Sequence, residues 1–290
     1  KRATPLVHVA VPDHLLDELD GASTTARAFV ADALSAANVI STAPFSLVGG
    51  RSMAAFSLIA VGDECLANLA QSLTPPGAAW THVSTTIGGL FALPYTLTCH
   101  QTLYDLEIFS ALDERAVRSG FASVIAVAAS SDEALFAKLE ENVDRLLALE
   151  VGITEEVLDA AAAHFASLRS TAVLAPKRVP HPGHRMCAAV EAVAQPSLST
   201  GACLAAGLVY EATLSRNLGL LAPAGVGRLM RLLKAFALPH VCPPEMVDLA
   251  AMNGRADDIF GGSERTYSLI FNIGEPAVIE SDATGKMDKI

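Results

Sequence analysis

The chain has 290 residues, 51% of them hydrophobic, and carries a net charge of −11 at pH 7. A chain of this size and composition buries a large core, arranged as one large domain or two ordinary ones. Its acidic balance argues against nucleic acids and anionic membrane surfaces as partners, because like charges repel them.

The five cysteines lie far apart within apolar segments. This usage is typical of reduced thiols in a cytoplasmic protein and not of a disulfide framework. No apolar segment approaches the roughly 20 residues that a membrane-spanning helix needs, and the first residues lead into a strand pattern instead of a signal peptide. We therefore expect a soluble, cytoplasmic protein.

The first third of the chain alternates short apolar runs with a helical pattern, which is typical of a parallel sheet covered by helices. The predicted strands are 6–11, 45–48, 56–61 and 80–85, and the predicted helix is 26–37. These elements predict a Rossmann-like α/β domain over residues 1–106.

Residues 107–290 predict an all-helical domain, because apolar residues recur there at three- and four-residue spacing. Ser131 and Thr154 are each followed by two acidic residues, a pattern that favours helix starts. Further helices are predicted over 202–218 and 225–236, and one strand-like segment over 267–274. The predicted fold class is thus α/β followed by all-α.

The segment 177–191 is the richest in chemically active side chains. His181 and His184 flank Pro182 at a predicted helix start, where the positive helix end favours a neutral imidazole. The two histidines are predicted to be a general acid/base pair. The alternative is that both only hydrogen-bond the backbone.

Basic side chains surround these histidines. Lys177, Arg178 and Arg185 are predicted to bind a carboxylate or phosphate, or else they form a solvated basic turn. Glu191, on the helix that follows, is predicted to orient a ligand or a histidine, or else to pair with a structural partner such as Arg216.

Five segments, in the expected order, resemble those of the 3-dehydroquinate synthases between about residues 56 and 276. They are 58–70, 84–86, 109–125, the helix start with Gly183, His184 and Glu191, and Thr200-Gly201-Ala202. On these segments the chain is identified as a degenerate member of that family of sugar phosphate cyclases. The family closes a sugar phosphate into a carbocycle with bound NAD and a divalent metal. The resemblance implies a cleft between the two domains where Arg169, Lys177, His181 and His184 converge.

The departures from the family concern its cofactors. The resemblance implies metal-ligand positions at Ser123, His184 and Thr200, and one imidazole falls short of the three protein ligands that a zinc site needs. The family's three-glycine turn for NAD is Gly62-Asp63-Glu64 here. Each carboxylate beside a phosphate costs about 1 to 4 kcal/mol. We therefore expect no cofactor, with NAD and zinc both lost.

Three hypotheses follow for function. The first is a repurposed enzyme, a homodimer that cyclises, eliminates from or isomerises a small molecule in biosynthesis. Its predicted catalytic residues are His181, His184 and Glu191, and its predicted substrate-binding residues are Arg169, Lys177, Arg178 and Arg185. The second is a non-catalytic partner subunit or ligand-binding module. The third is a true 3-dehydroquinate synthase that depends on NAD and zinc.

Overall fold

The structure is a computed structural model. It describes residues 6–10, 39–42, 56–62, 80–91, 99–174, 182–193, 198–240, 265–281 and 287–289. The chain forms two compact units, Lys1–Asp113 and Glu114–Ile290. The boundary predicted after residue 106 lies within the first of these units.

The first unit contains a five-stranded parallel sheet. Its strands are β1 (Leu6–Ala10), β2 (Val39–Thr42), β3 (Phe56–Gly62), β4 (Trp80–Ser84) and β5 (Cys99–Leu103). Their order in the sheet is β2-β1-β3-β4-β5, and all neighbours are parallel. Parallel neighbours need crossover connections, and the nearly continuous apolar sequence of β3 is typical of a strand covered on both faces.

The sequence anticipated three of these strands to within a residue at either end. The strands β2 and β5 were missed because they are short and half polar, with the sequences VIST and CHQTL. The predicted strand 45–48 and the predicted helix 26–37 lie outside the described residues. A short helix, α1 (Leu106–Ser110), follows the sheet.

The second unit is mainly helical, as predicted. Its described helices are α2 (Glu114–Ser131), α3 (Glu133–Glu141), α4 (Val143–Leu147), α5 (Val151–Leu174), α6 (His184–Val193), α7 (Thr200–Asn217) and α8 (Pro223–Ala235). The central pair is α2 and α7, both buried along most of their length. The apolar character of α7 on nearly all sides, which the sequence displays, follows from this position.

A glycine lets α2 and α7 touch through their backbones. The amide of Gly201 donates to Ser119 Oγ at 3.0 Å. A Cβ atom added at Gly201 would lie 2.0 Å from the carbonyl oxygen of Ser119, far inside van der Waals contact. The two helices can approach this closely because Gly201 has no side chain.

The second unit also contains an antiparallel sheet, of which the sequence predicted only one strand. Its strands are β6 (Arg265–Asn272), β7 (Glu275–Ser281) and β8 (Met287–Lys289), in the order β6-β7-β8. The expectation of an all-helical domain is corrected to this extent. Pro276 obscured β7, because proline within an apolar run argues against a strand, and here it lies near the start of the strand.

This sheet is anchored to the helices at a tight turn. Gly274 has φ +89°, a conformation that glycine adopts without strain, and its amide donates to Ala129 O at 2.9 Å. One face of the sheet buries Tyr267 and Leu269 against the partly buried Leu214 of α7. The sheet therefore supports the central helix.

The two predicted helix starts are displaced by a few residues. Asp132, and not Ser131, caps α3, because its carboxylate accepts from Ala134 N at 2.7 Å and Leu135 N at 3.2 Å. Helix α5 begins at Val151, before the buried Thr154. The short link between α2 and α3 leaves Ser131 as the last residue of α2.

Replacing Asp132 with alanine is expected to lower the free energy of unfolding by about 1 kcal/mol, the usual cost of a lost helix cap. The carboxylate also contacts His164 Nε2 at 2.8 Å. Urea unfolding would measure the change. Asp132→Asn, which keeps the capping oxygen, is the control and should stay close to the wild type. An alanine variant as stable as the wild type would contradict the assignment of this cap.

In the described part of the chain, none of the helices combines the length and the apolar character that crossing a membrane requires.

Candidate active site at the start of helix α6

His184 is the first residue of α6, directly after a glycine turn. Gly183 has φ +84°, in the region that favours glycine, and its carbonyl accepts the first helical hydrogen bond, from Cys187 N at 2.7 Å. The chain therefore changes direction at Gly183 and enters the helix at His184.

The turn is packed directly against α7. A Cβ atom at Gly183 would lie 2.8 Å from Leu208 Cγ, and a Cβ atom at Gly207 would lie 2.2 Å from the carbonyl oxygen of Gly183. Because the Gly183 carbonyl lies directly against Gly207, α7 sets how closely the turn can approach.

Glu211 is a buried acidic residue beside this turn that the sequence analysis did not select. It lies on α7, is fully buried, and accepts a hydrogen bond from Gly183 N through Oε2. Burial raises the pKa of Glu211 to about 8, against the lowering effect of the Gly183 and Met186 amides and of Arg185. Glu211 thus caps α6 from outside the helix, where the amides favour negative charge. Glu211 lies four positions after Gly207, one turn further along the same helix.

Arg185 is the second residue of α6 and is buried. Its guanidinium carbon lies 5.2 Å from the ring centroid of Tyr267 on β6, within the range of a cation–π contact. Its charge also acts on Glu211. The guanidinium therefore has partners inside the protein, and its predicted role in substrate binding stays a prediction.

The imidazole of His184 is held in its neutral form. The residue as a whole is half-buried, whereas its Nδ1 atom is inaccessible to solvent. Burial lowers the pKa of His184 to about 4. The sequence predicted a neutral imidazole from the helix terminus, and desolvation is the cause in the structure. A neutral imidazole accepts a proton or binds a metal ion.

Glu191 lies further along α6 and is exposed. At 1.5 Å of rise per residue, the seven residues from His184 correspond to about 10 Å along the helix. One described neighbour of Glu191 is Cys187, whose pKa is raised by burial and then by the Glu191 carboxylate. Cys187 Sγ lies 3.7 Å from Thr200 O, so this thiol is a buried, protonated packing group.

The remaining predicted site residues are not placed. Arg169 belongs to α5, but its side chain is outside the described part. Lys177, Arg178 and His181 lie outside the described residues altogether. The predicted convergence of these side chains with His184 stays a prediction.

The three positions that correspond to metal ligands carry one imidazole and two hydroxyls. Ser123 is half-buried on α2, and Thr200 is exposed at the start of α7. Among the residues that the structure describes, no group of three or more His, Cys, Asp and Glu is arranged to hold a metal ion. This donor set does not fit a zinc site with three protein ligands.

The carboxyl edge of the parallel sheet is the expected place for a dinucleotide. Strand order reverses between β1 and β3, and dinucleotides bind at such points, outside the carboxyl ends of the strands. Gly62 lies opposite Ser84 at this edge, and Ser84 Oγ donates to Thr86 O at 2.7 Å. Asp63 and Glu64, which come next after β3, lie outside the described residues.

Residues 120–257 match the family model described as 3-dehydroquinate synthase C-terminal. This part of the chain is therefore similar to the C-terminal domain of the 3-dehydroquinate synthases. The resemblance found in the sequence is thereby confirmed, and so is the predicted fold class.

Several solved structures share the fold. A 2-epi-5-epi-valiolone synthase from Streptomyces hygroscopicus subsp. jinggangensis 5008, with NAD+ and Zn2+ bound, has a TM-score of 0.72 at 19% identity, covering 94% of this chain and 85% of that one. A 2-deoxy-scyllo-inosose synthase complexed with carbaglucose-6-phosphate, NAD+ and Co2+ has a TM-score of 0.69 at 17% identity, covering 97% and 88%. A maleylacetate reductase from Rhizobium sp. strain MTP-10005 has a TM-score of 0.54 at 16% identity, covering 88% and 83%.

The expectation that NAD and metal are both lost is wrong, because two of these similar structures contain NAD+ together with Zn2+ or Co2+. Charge repulsion excludes NAD only if Asp63 and Glu64 point at the pyrophosphate. A residue's place in a turn does not establish where its carboxylate points, and repulsion depends on that direction and distance.

Proposed function

We propose that this chain is a small-molecule lyase or cyclase of the sugar phosphate cyclase kind, with His184 as its proton-transferring base. The observation that carries the proposal is the neutral imidazole of His184, held on a glycine turn that is packed against the central helix. The likeness to two cyclases that make carbocycles supports the substrate class, a phosphorylated sugar.

The proposed role of His184 is to remove a proton from the substrate. Because Nδ1 is enclosed, we assign proton transfer to Nε2. In an elimination, Nε2 takes a proton from the carbon next to a carbonyl, a carbon–carbon double bond forms, and phosphate leaves with the electron pair of its carbon–oxygen bond. The pKa of His184 is low in the free protein. A bound anionic substrate stabilises the imidazolium, so it raises this pKa and makes His184 a stronger base.

We include NAD+ as a cofactor because the strand order reverses between β1 and β3, and dinucleotides bind at such reversals. When bound, NAD+ supplies a transient hydride acceptor for a substrate hydroxyl. The carboxyl ends of β1 and β3 are the part of this chain that would hold it. The donors described at the metal positions do not fit a three-ligand zinc site, so no step of the proposed reaction is assigned to a metal.

The test is release of inorganic phosphate from a panel of hexose and heptulose phosphates, with NAD+ and with or without Zn2+ or Co2+. We expect phosphate release by the wild type and a rate about 10² to 10⁴-fold lower for His184→Ala, the usual contribution of a general base. His240→Ala is the control, because His240 is another half-buried histidine, whose Nδ1 lies 3.3 Å from Leu238 O. Equal rates for wild type and His184→Ala would contradict the proposed role.

A second candidate is a non-catalytic ligand-binding module or partner subunit. The hydroxyl side chains at Ser123 and Thr200, in place of stronger metal ligands, favour it. In that case the wild type releases no phosphate from any member of the panel, although calorimetry detects binding of a sugar phosphate.

A further inference from the structure

We propose that Glu211 is a positioning residue, whose buried carboxyl group holds the Gly183 turn and thereby sets where the imidazole of His184 lies. This inference rests on the proposed role of His184. It deepens that role by naming the group that orients the base.

The first support is that Gly183 is held through both of its backbone polar groups. Its amide donates to Glu211 Oε2, and its carbonyl accepts from Cys187 N at 2.7 Å while lying against Gly207. Gly207 and Glu211 are one turn apart on α7. The peptide that precedes His184 is therefore clamped between two points of a single rigid helix, and the Cα atom of His184 has little freedom.

The second support is that the main chain of Glu211 is linked to β6 through Ser215. Ser215 Oγ donates to the main-chain carbonyl of Glu211 at 2.8 Å and accepts from Ile270 N at 3.2 Å. The guanidinium of Arg185 lies over Tyr267 on the same strand and acts on the Glu211 carboxylate. The cap thus joins α6, α7 and β6.

This arrangement also bears on specificity. A helix start is an attractive site for a phosphate or carboxylate, but the amides of Gly183 and Met186 already face an internal carboxyl group. We infer that the substrate phosphate does not bind at the start of α6. The predicted basic residues Arg169, Lys177 and Arg178 stay the candidates for binding it.

Two substitutions separate positioning from packing. Glu211→Gln keeps an oxygen that accepts from the Gly183 amide, whereas Glu211→Met has similar volume and no such acceptor. The control is Tyr210→Phe, the neighbouring position on α7. The readouts are the imidazole NMR signals of His184, amide exchange at Gly183, and kcat and KM for phosphate release.

For Glu211→Met we expect shifted His184 signals, fast exchange at Gly183, and kcat lower by about 10²-fold with KM nearly unchanged, because a misplacement of about 1 Å is enough for such a loss. Glu211→Gln should restore all three readouts to within a few-fold of the wild type. A folded Glu211→Met protein with wild-type His184 signals and slow Gly183 exchange would overturn the inference.

Two further outcomes distinguish a failure of this inference from a failure of the proposed function. If the wild type releases no phosphate, the proposed function fails, and the NMR readouts still decide whether Glu211 positions His184. If Glu211→Met does not fold, amide exchange at Gly183 in the wild type tests the inference. This amide should exchange as slowly as the amides of buried α7, and exchange at the rate of an unprotected amide would overturn the inference.

Discussion

Replacing Gly201 with alanine is expected to lower the free energy of unfolding by about 3 kcal/mol, at the upper end of the usual cost of overpacking. The added Cβ atom would lie 2.0 Å from Ser119 O and 2.5 Å from Ser119 C. Both are backbone atoms, so no side-chain rotation relieves the clash. The central helices must separate, and the hydrogen bond from Gly201 N to Ser119 Oγ is lost as they do.

The matched control is Gly152→Ala. Gly152 lies near the start of α5, and a Cβ atom added there meets nothing within 4 Å. Because alanine is the better helix former, this variant should gain about 1 kcal/mol. Urea unfolding of both variants measures the two effects. A Gly201→Ala protein that unfolds at the same urea concentration as the wild type would show that α2 and α7 do not cross at this separation.

The second large effect is a loss of stability as the pH rises above neutrality, caused by Glu211. Burial raises the pKa of Glu211 from 4.5 to about 8 in the folded protein. Between these values the folded state keeps a proton that the unfolded state has released. Stability from this group is therefore full below pH 4.5 and is lost as the pH rises through about 8.

His184 acts in the opposite sense at lower pH. Burial lowers the pKa of His184 from 6.5 to about 4, so the unfolded state binds a proton first as the pH falls. The stability from a neutral His184 is present above pH 6.5 and is lost as the pH falls toward 4. The two groups oppose each other between pH 4.5 and 6.5, and Glu211 acts alone above that window.

The free energy of unfolding should therefore fall by about 2 kcal/mol between pH 6.5 and 8, at about 1.4 kcal/mol per pH unit. Urea unfolding at several pH values in this range measures the fall. Glu211→Gln, which does not titrate, should remove it, while Glu191→Gln at an exposed position should retain it. A wild-type curve that is flat over this range would mean that Glu211 is ionised in the folded protein at neutral pH.

The helical half of the chain illustrates how far sequence patterns reach. The helices α7 and α8 were predicted to within two residues, because long segments with apolar residues every three or four positions form helices in almost any context. The contacts that α8 makes with other helices were not predicted in this way. Arg228 of that helix binds Glu133 and Glu140 of α3, and no local pattern relates residues so far apart along the chain.

Only part of the candidate site could be recognised from the sequence, because local patterns do not reveal contacts between distant segments. The pair Gly183-His184 marks a turn into a helix, and the sequence supports that inference by itself. Glu211 was passed over because a glutamate in an apolar helix has no local signature of its partner. Its role appears only when α7 brings it against the amide of Gly183, 28 residues earlier in the chain.

The α/β and helical halves, the family resemblance and the helix start at His184 could be inferred from the sequence alone, because each depends on local periodicity or on a short motif. Three properties required the folded structure: which glycines allow helices to touch, which carboxylate caps α6, and the burial that keeps His184 neutral. These properties depend on burial and on contacts between segments distant in sequence, and both arise only when the chain is folded.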